Sequence, residues 1–431
     1  MQRRRFLSAL PAAPLAALTL GACSARAVPG RGGPITLDYW AWGTAQEPLV
    51  RAWNETHPDI QVRHTDAGGG DDSAAKLVTA SRAGNAPDVA LVEYPTLPSL
   101  MVAGAIAEIS EHVDGVDQGY VPGVWSLTSF DGATYGIPMD AGPQSLTYNR
   151  SRLDELGIPV PTTWDEFAVA AEEIRDADSS SYLCSWAPGE FGNFAGYAQQ
   201  AGARWWDGHG AQWHIDIAGD ESLEVANFWQ DLIDRDLVST QPLLTPEWNA
   251  RLNNGQILCW PGGMWATGVI AGVAADMAGD WALAPLPERV PGNPEVGFEG
   301  GSCTVVTTSS EHAEAAAQFA TWLGTADEAC RIQIEQGQYP ASLRGQELTL
   351  ESPSPTFMQG QSDYWEVAAQ IAENTLPQVS WGPNVNVANT AFQDAMSSAV
   401  NNGTALSEGL RTVESIVIND MRTVGYEVTG R

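Results

Sequence analysis

The sequence predicts an α/β protein built as two lobes, each with its own core. Three observations predict it. Residues 35–93 alternate between short β-rich runs and helical stretches, the order of a parallel sheet covered by helices. The chain has 431 residues, enough for two substantial cores. Two extended runs, at 134–138 and 145–148, flank Asp140 and Gly142–Pro143. That pair breaks the backbone without the signals of a helix stop, which suits a passage from one lobe to another.

The chain opens with a targeting segment, residues 1–23. Arg3, Arg4, Arg5, Phe6 and Leu7 fit the twin-arginine export pattern, and the apolar stretch that follows, to Leu20, is too short to span a bilayer. Leu20, Gly21, Ala22 and Cys23 resemble the lipobox of bacterial lipoproteins. The resemblance implies cleavage before Cys23, a lipid on that cysteine and a mature protein held on the outer face of the cytoplasmic membrane. Residues 24–33, rich in Pro and Gly, then read as a flexible tether.

The first lobe begins with an alternating strand at 35–40, followed by a helix over 45–54 with Pro48 in its first turn. His57–Pro58 stops that helix, and 60–64 forms the second strand. Gly68–Gly70, with Asp71 and Asp72, leads into a helix reaching Arg82, and Pro87–Asp88 opens a third strand at 89–93 that Tyr94–Pro95 turns out of. Ligands of parallel sheets sit beyond the carboxyl ends of the strands, which brings Trp42, Glu93 and Tyr94 to a site by topology alone.

Beyond Gly142–Pro143 comes an amphipathic segment with Leu153 and Leu156, then a rigid Pro159–Pro161 bend. Thr163 and Glu166 form a capping box for a helix over 163–177. A strand is expected at 182–186, a Gly- and aromatic-rich stretch at 188–203, and a hairpin within 205–217 that turns at His209–Gly210. Val225, Phe228, Trp229, Leu232 and Ile233 follow the spacing of one helix face. A strand at 256–260 runs into the loop Pro261–Gly262–Gly263–Met264–Trp265. Residues 298–306 read as a further extended segment, 313–323 as a helix capped by Ser310, and 406–421 as the last helix with Leu410, Val413, Val417 and Met421 along one face.

The segment Tyr135–Gly136–Ile137–Pro138–Met139–Asp140, continued by Gly142–Pro143, Leu146, Tyr148–Asn149 and Thr163–Trp164–Asp165–Glu166–Phe167, resembles the first interlobe crossover of the extracellular solute-binding proteins of ABC importers, in the sugar-binding branch that includes maltose-binding protein. Residues 53–62 and 86–89 are also typical of that family, and 298–306 resembles its second crossover. The resemblance implies a type II periplasmic-binding-protein fold with discontinuous lobes joined by three hinge crossovers. On that reading the signal peptide is 1–23 and the tether 24–33. The N-terminal lobe is 34–139 with 303–325, the C-terminal lobe is 140–302 with 326–431, and the third crossing falls near 324–330. It further implies a monomer that delivers a carbohydrate to membrane permease subunits, without catalysis or cofactor.

The composition excludes other partners. A net charge of −32, with Lys76 the only lysine, lacks the basic patches that nucleic acid or an anionic membrane surface would need. Contact with the membrane is therefore expected only through the lipid. With Cys23 removed, Cys184, Cys259, Cys303 and Cys330 remain, an even number in an oxidising compartment. Three pairings are possible. Cys184 with Cys259 is favoured because both lie on short apolar strands of one lobe, leaving Cys303 with Cys330. None of the four has metal-ligand spacing with the scattered histidines.

Sugars present apolar C–H faces, which flat rings can cover, and hydroxyls that both donate and accept hydrogen bonds. Candidates of both kinds stand at loop positions. Asp140 matches the family's ligand-contacting acid, and Trp265 matches a position where a ring stacks on sugar. Trp381, in a Ser–Trp–Gly–Pro–Asn turn, and Trp42 are further stacking candidates. Glu93, Tyr94, Glu190, Phe191 and Phe194 complete the lining, and Gly300, Gly301 and Ser302 offer backbone amides or hinge freedom. Glu299 departs from the family, where many members carry an aromatic residue. The alternatives left open are a glycerophosphodiester in place of the sugar, a polyamine or peptide drawn to an acidic cleft, and a secreted glycoside-cleaving enzyme.

Overall fold

A computed structural model describes residues 33–376 and 381–430. The export signal, Cys23 and nearly all of the tether lie outside the described residues. Residues 34–431 form one compact unit.

The first lobe is organised on a five-stranded sheet. Strands β1 (Ile35–Ala41), β2 (Ile60–Asp66) and β3 (Val89–Glu93) are parallel, with Ile35 paired to Ile60 and Tyr39 to Val89. Helices α1 (Gln46–Thr56) and α2 (Gly70–Ala83) make the connections. The order continues from β3 to Ser302–Val306 and then to Ile137–Pro138, both antiparallel. Side chains alternate between the faces as the strand period requires. Val89 and Leu91 enter one apolar cluster with Leu37, Tyr39 and Val306, while Ala90 and Val92 enter another with Cys303 and Val305.

The second lobe holds an antiparallel sheet in which Gln144–Asn149 is central, between Cys259–Gly263 and Trp281–Pro285. A separate three-stranded sheet contains the expected hairpin, Trp206–His209 with Gln212–Ile215, extended by Glu427–Gly430. Helix α3 (Trp164–Ala177) is capped by Thr163, whose side chain accepts from Glu166 N. The Glu166 carboxylate reaches back to Thr162 rather than to Thr163, so the capping box is displaced by one residue.

Three expected strands differ. Residues 182–186 make only isolated bridges, Tyr182 to Ile257 and Ser185 to Ser239. The strand expected at 256–260 is shifted to Cys259–Gly263. The segment expected to extend from 298 becomes a strand only at Ser302, because Gly300 and Gly301 take φ of 72° and 76°, which ladder geometry does not accept. The helix capped near Ser310 begins at Ala313, with Ser310 bonded to Asp88 instead.

Between the lobes the crossing segments lie side by side. Met139 N donates to Ser302 O, Glu299 N to Gly142 O, and Ala141 N to Tyr339 O. Beyond residue 325 the chain passes from the first core toward the second over 326–341. Helix α4 (Asp327–Glu335) straddles the two cores, with Ala329 in the first and Cys330 and Ile334 in the second, and 339–341 pairs with 139–141.

The expected disulfides are not formed, and all four cysteines are buried free thiols. Cys303 faces Gly136 and Asp140 in the first lobe, whereas Cys330 packs beside Ser342 and Gly345. They belong to different cores, so the Cys303–Cys330 pairing is corrected. Cys184 and Cys259 are neighbours: Cys259 N donates at 2.7 Å to the carbonyl oxygen of Leu183, the residue just before Cys184. Among the described residues no helix is long and apolar enough to cross a membrane, and no group of three or more His, Cys, Asp or Glu is placed to hold a metal ion.

Candidate ligand-binding cleft

The crossing segments supply the floor of the candidate site. Asp140 is largely buried, and its Oδ1 accepts from Ser302 N at 2.8 Å and from the Ser302 hydroxyl. Burial raises its pKa, against the pull of those bonds. Tyr94 is buried with its hydroxyl 2.9 Å from Asp140 O, and its ring lies against Phe298 and over Gly301. A Cβ on Gly301 would come within 2.8 Å of that ring, so glycine is required twice there, for space and for its left-handed φ.

Trp265 stands at the opposite edge of the same floor, half-buried at the end of the Pro261–Trp265 loop. Its Nε1 donates to Glu299 O at 3.0 Å, and its ring meets Trp260 edge-on at 5.4 Å. Gly263 lies against the indole, where a Cβ would overlap the ring edge, and Gly300 lies 3.0 Å from Nε1 by the same measure. The two glycine pairs legible in the sequence, 262–263 and 300–301, are therefore where backbone and aromatic rings touch.

Glu299 turns away from the floor into the second lobe and is only 5% exposed. Its Oε2 accepts from Gly263 N at 2.8 Å and Asn193 Nδ2 at 2.9 Å, with Gln144 Nε2 at 3.5 Å. Burial, offset by these donors and aided by the nearby Glu190 carboxylate, pushes its pKa up to about 7. Glu190 precedes the helix Phe191–Gln200, and its own pKa is raised by burial.

Trp42 follows β1 and Glu93 ends β3, and both lie beside the glycines at the start of α2. A Cβ on Gly69 would lie 3.1 Å from the Trp42 ring, and one on Gly70 would lie 3.8 Å from a Glu93 oxygen. Phe191 and Phe194 are placed differently from the expectation. They pack in the second-lobe core against Trp205 and Phe392, because the helix turns its apolar face inward. Trp381 is 9% exposed, wedged between Phe191 and Trp206. It walls a cavity of about 430 Å³ that draws on both lobes, with Tyr94, Phe130, Arg204 and Trp206 among its lining. The lobes also touch through Ser99, whose hydroxyl lies 3.2 Å from Pro383 O and from Asn386 Oδ1. Asn193, Gln144, Ser99 and Asn386 were not singled out by the sequence. They lie within ordinary helical and extended stretches and carry no local signal.

A profile of the bacterial extracellular solute-binding proteins matches residues 43–329, well over half of the chain. The chain belongs to that family. Similar curated proteins include the arabinooligosaccharide-binding protein of Halalkalibacterium halodurans, 26% identical over 69% of each chain. The lactose-binding protein of Rhizobium radiobacter is 24% identical over 93% of this chain and 95% of its own. Among solved structures, the ABC-transporter-associated binding protein of B. animalis subsp. lactis Bl-04, in complex with β-1,6-galactobiose, superposes with a TM-score of 0.84 at 27% identity. It covers 92% of this chain and all of its own. The galacto-N-biose/lacto-N-biose I-binding protein of Bifidobacterium longum gives 0.82 at 25%, covering 93% of this chain and all of its own. This solute-binding protein thus has the two-lobed type II periplasmic-binding fold, and the family is an extracellular one.

Proposed function

We propose that this solute-binding protein captures a di- or oligosaccharide between its lobes and hands it to the permease of an ABC importer, as a binding component without chemistry of its own. The observation that carries the reading is Trp265: a partly exposed indole fixed by Glu299 O and two glycines at the interlobe floor, beside Asp140 and Tyr94. A flat ring covers a sugar's C–H face, and the polar groups around it select for hydroxyls. The sugars bound by the similar proteins support the same class of ligand. Asp140, Trp265, Trp42, Glu93, Tyr94, Glu190 and the amides of Gly300 and Gly301 form the proposed lining, with Ser302 holding Asp140 in place, and Trp381 bounds its flank.

The lobes are read as 34–139 with 303–325 and 140–302 with 326–431, hinged at the paired crossing segments. Ligand would shift the population toward a closed form that the permease recognises. The protein is read as exported by its twin-arginine signal, lipid-anchored at Cys23 and monomeric. After export, Cys184 and Cys259 are the pair proposed to oxidise.

The test is a thermal-shift screen of the mature chain without its signal, against mono-, di- and oligosaccharides and glycerophosphodiesters. Binding to the folded state raises the melting temperature by mass action. A rise with one sugar class, lost in Trp265→Ala, is expected. A rise only with phosphodiesters, or silence across the panel, overturns the carbohydrate reading.

A further inference from the structure

Glu299 occupies a junction between the second crossing segment and the Trp265 loop. Its main-chain oxygen holds the Trp265 indole, while its carboxylate holds Gly263, two residues earlier on the same loop. The same carboxylate oxygen receives Asn193 from the helix that begins just after Glu190. Asn193 also donates to Pro261 O, and Gln144 Nε2 bonds both Asn193 O and Glu299, so one buried cluster joins the crossing segment, the Trp265 loop and the helix start. Immediately after Glu299 come Gly300 and Gly301, both with positive φ, where the crossing backbone changes direction. Both anchors belong to Glu299, immediately before that bend, so the Trp265 loop and the crossing backbone are tied at one residue and move together.

We propose that Glu299 is a positioning residue that sets the Trp265 ring in the cleft and ties its place to the conformation of the second crossover. This deepens the sugar-binding reading and rests on it for the role of Trp265, though the clamp itself does not depend on which ligand binds. Every donor to the carboxylate is neutral, and no cation is paired with it among the described residues. The titratable groups that act on it are Glu190, at the start of the helix, and Tyr197, on the same helix with its hydroxyl on Pro261 O. Asp140, on the neighbouring crossing segment, is occupied by Ser302. Both forms of Glu299 are therefore populated near neutrality. Only the ionised form makes charge-assisted bonds to Gly263 and Asn193. Loss of that charge should loosen the loop and weaken stacking on the ring.

The experiment combines fluorine NMR of protein labelled with 5-fluorotryptophan and calorimetric titration with lactose and β-1,6-galactobiose as probes. The Trp265 resonance is assigned by its absence in Trp265→Phe. In the ligand-free protein it should shift with pH through a midpoint near 7 and become pH-independent in Glu299→Gln. Glu299→Ala should weaken disaccharide binding about fivefold or more, as expected for loss of a positioning hydrogen bond, with Glu299→Gln losing less. In a Trp265→Ala background the Glu299 substitution should add almost nothing, because it acts through the ring. A Trp265 resonance blind to pH and unmoved in Glu299→Gln overturns the clamp, whether or not a sugar binds, as do fully additive losses. If neither disaccharide binds but the resonance still follows Glu299, the clamp stands and the choice of ligand is what fails.

Discussion

Ser302 places two donors on one oxygen of Asp140: its amide, at 2.8 Å, and its hydroxyl. The acid expected to meet ligand therefore also fastens the first crossing segment to the second. Asp140→Ala strands both donors in a largely buried place and should lower stability by about 2–3 kcal/mol, the scale for bonds to a charged group. Asp140→Asn keeps one acceptor and should lose less than half of that while still weakening sugar binding. Chemical denaturation of both variants beside calorimetric titration separates the roles. A stable Asp140→Ala with unchanged affinity would sink both.

Gly142 sits where the two crossing segments touch. A Cβ there would overlap Glu299 O and lie 2.8 Å from Gly301 N, all of it backbone that cannot swing aside. Gly142→Ala is expected to push the segments apart at a cost of ~1–3 kcal/mol, typical of overpacking. The movement should also uncouple ligand binding from lobe closure. Small-angle scattering with and without saturating sugar reads this directly, and a normal compaction in the variant would count against it.

Local chemistry explains what was legible in advance. The alternation of residues 35–40 and the break at Gly142–Pro143 are short-range signals, so the parallel sheet and the first crossing could be read from neighbouring residues. Glu299 could be flagged as a departure, but its burial could not be foreseen. Its donors come from positions 144, 193 and 263, which the fold alone brings together. Phe191, Phe194 and Trp381 stand beside glycines and read as ligand-facing. Trp205, Trp206 and Phe392 instead absorb them into an aromatic core that no single stretch reveals. Cys303 and Cys330 fail as a pair because they were only what remained once Cys184 was matched to Cys259, and the fold buries them in different cores.

The raised carboxyl of Glu299 makes stability depend on pH. Its pKa is about 7 in the folded protein against 4.5 for an unperturbed Glu, so the folded state binds the proton more tightly. Between those values the unfolded chain carries fewer protons, and stability falls as pH rises, by up to about 3 kcal/mol for this group. Asp140 and Glu190, raised for the same cause, add in the same direction. Glu299→Gln should match the parent at low pH and exceed it in stability above neutrality. Urea midpoints at about pH 5 and about pH 8 give the comparison. Parallel curves for the two proteins would rule out the assignment. The ionised form is thus expected to be the less stable but the better positioned for ligand, a trade typical of binding sites.

Cys184 and Cys259 lie on neighbouring segments that bridge in parallel at Tyr182 and Ile257, which puts the two cysteines level with each other. Burial, with the neighbouring Cys184 thiol, holds the Cys259 thiol well above its usual pKa. Such a thiol does not attack quickly, so oxidation should proceed slowly, through transient opening of the fold, by exchange with a disulfide supplied in the export compartment. Protein recovered from that compartment is expected to be lighter by two hydrogens, with Cys184 and Cys259 linked in one peptide pair. Cys303 and Cys330 should alkylate only after denaturation, each on its own. The linked form should melt higher than the same protein treated with reductant, because the cross-link restricts the unfolded chain. The segment it ties runs into the strand that carries Gly263 and the Trp265 loop, so reduction should also weaken sugar binding slightly. Recovery of four alkylatable thiols from exported protein would refute the pairing and leave the thiols as ordinary core residues.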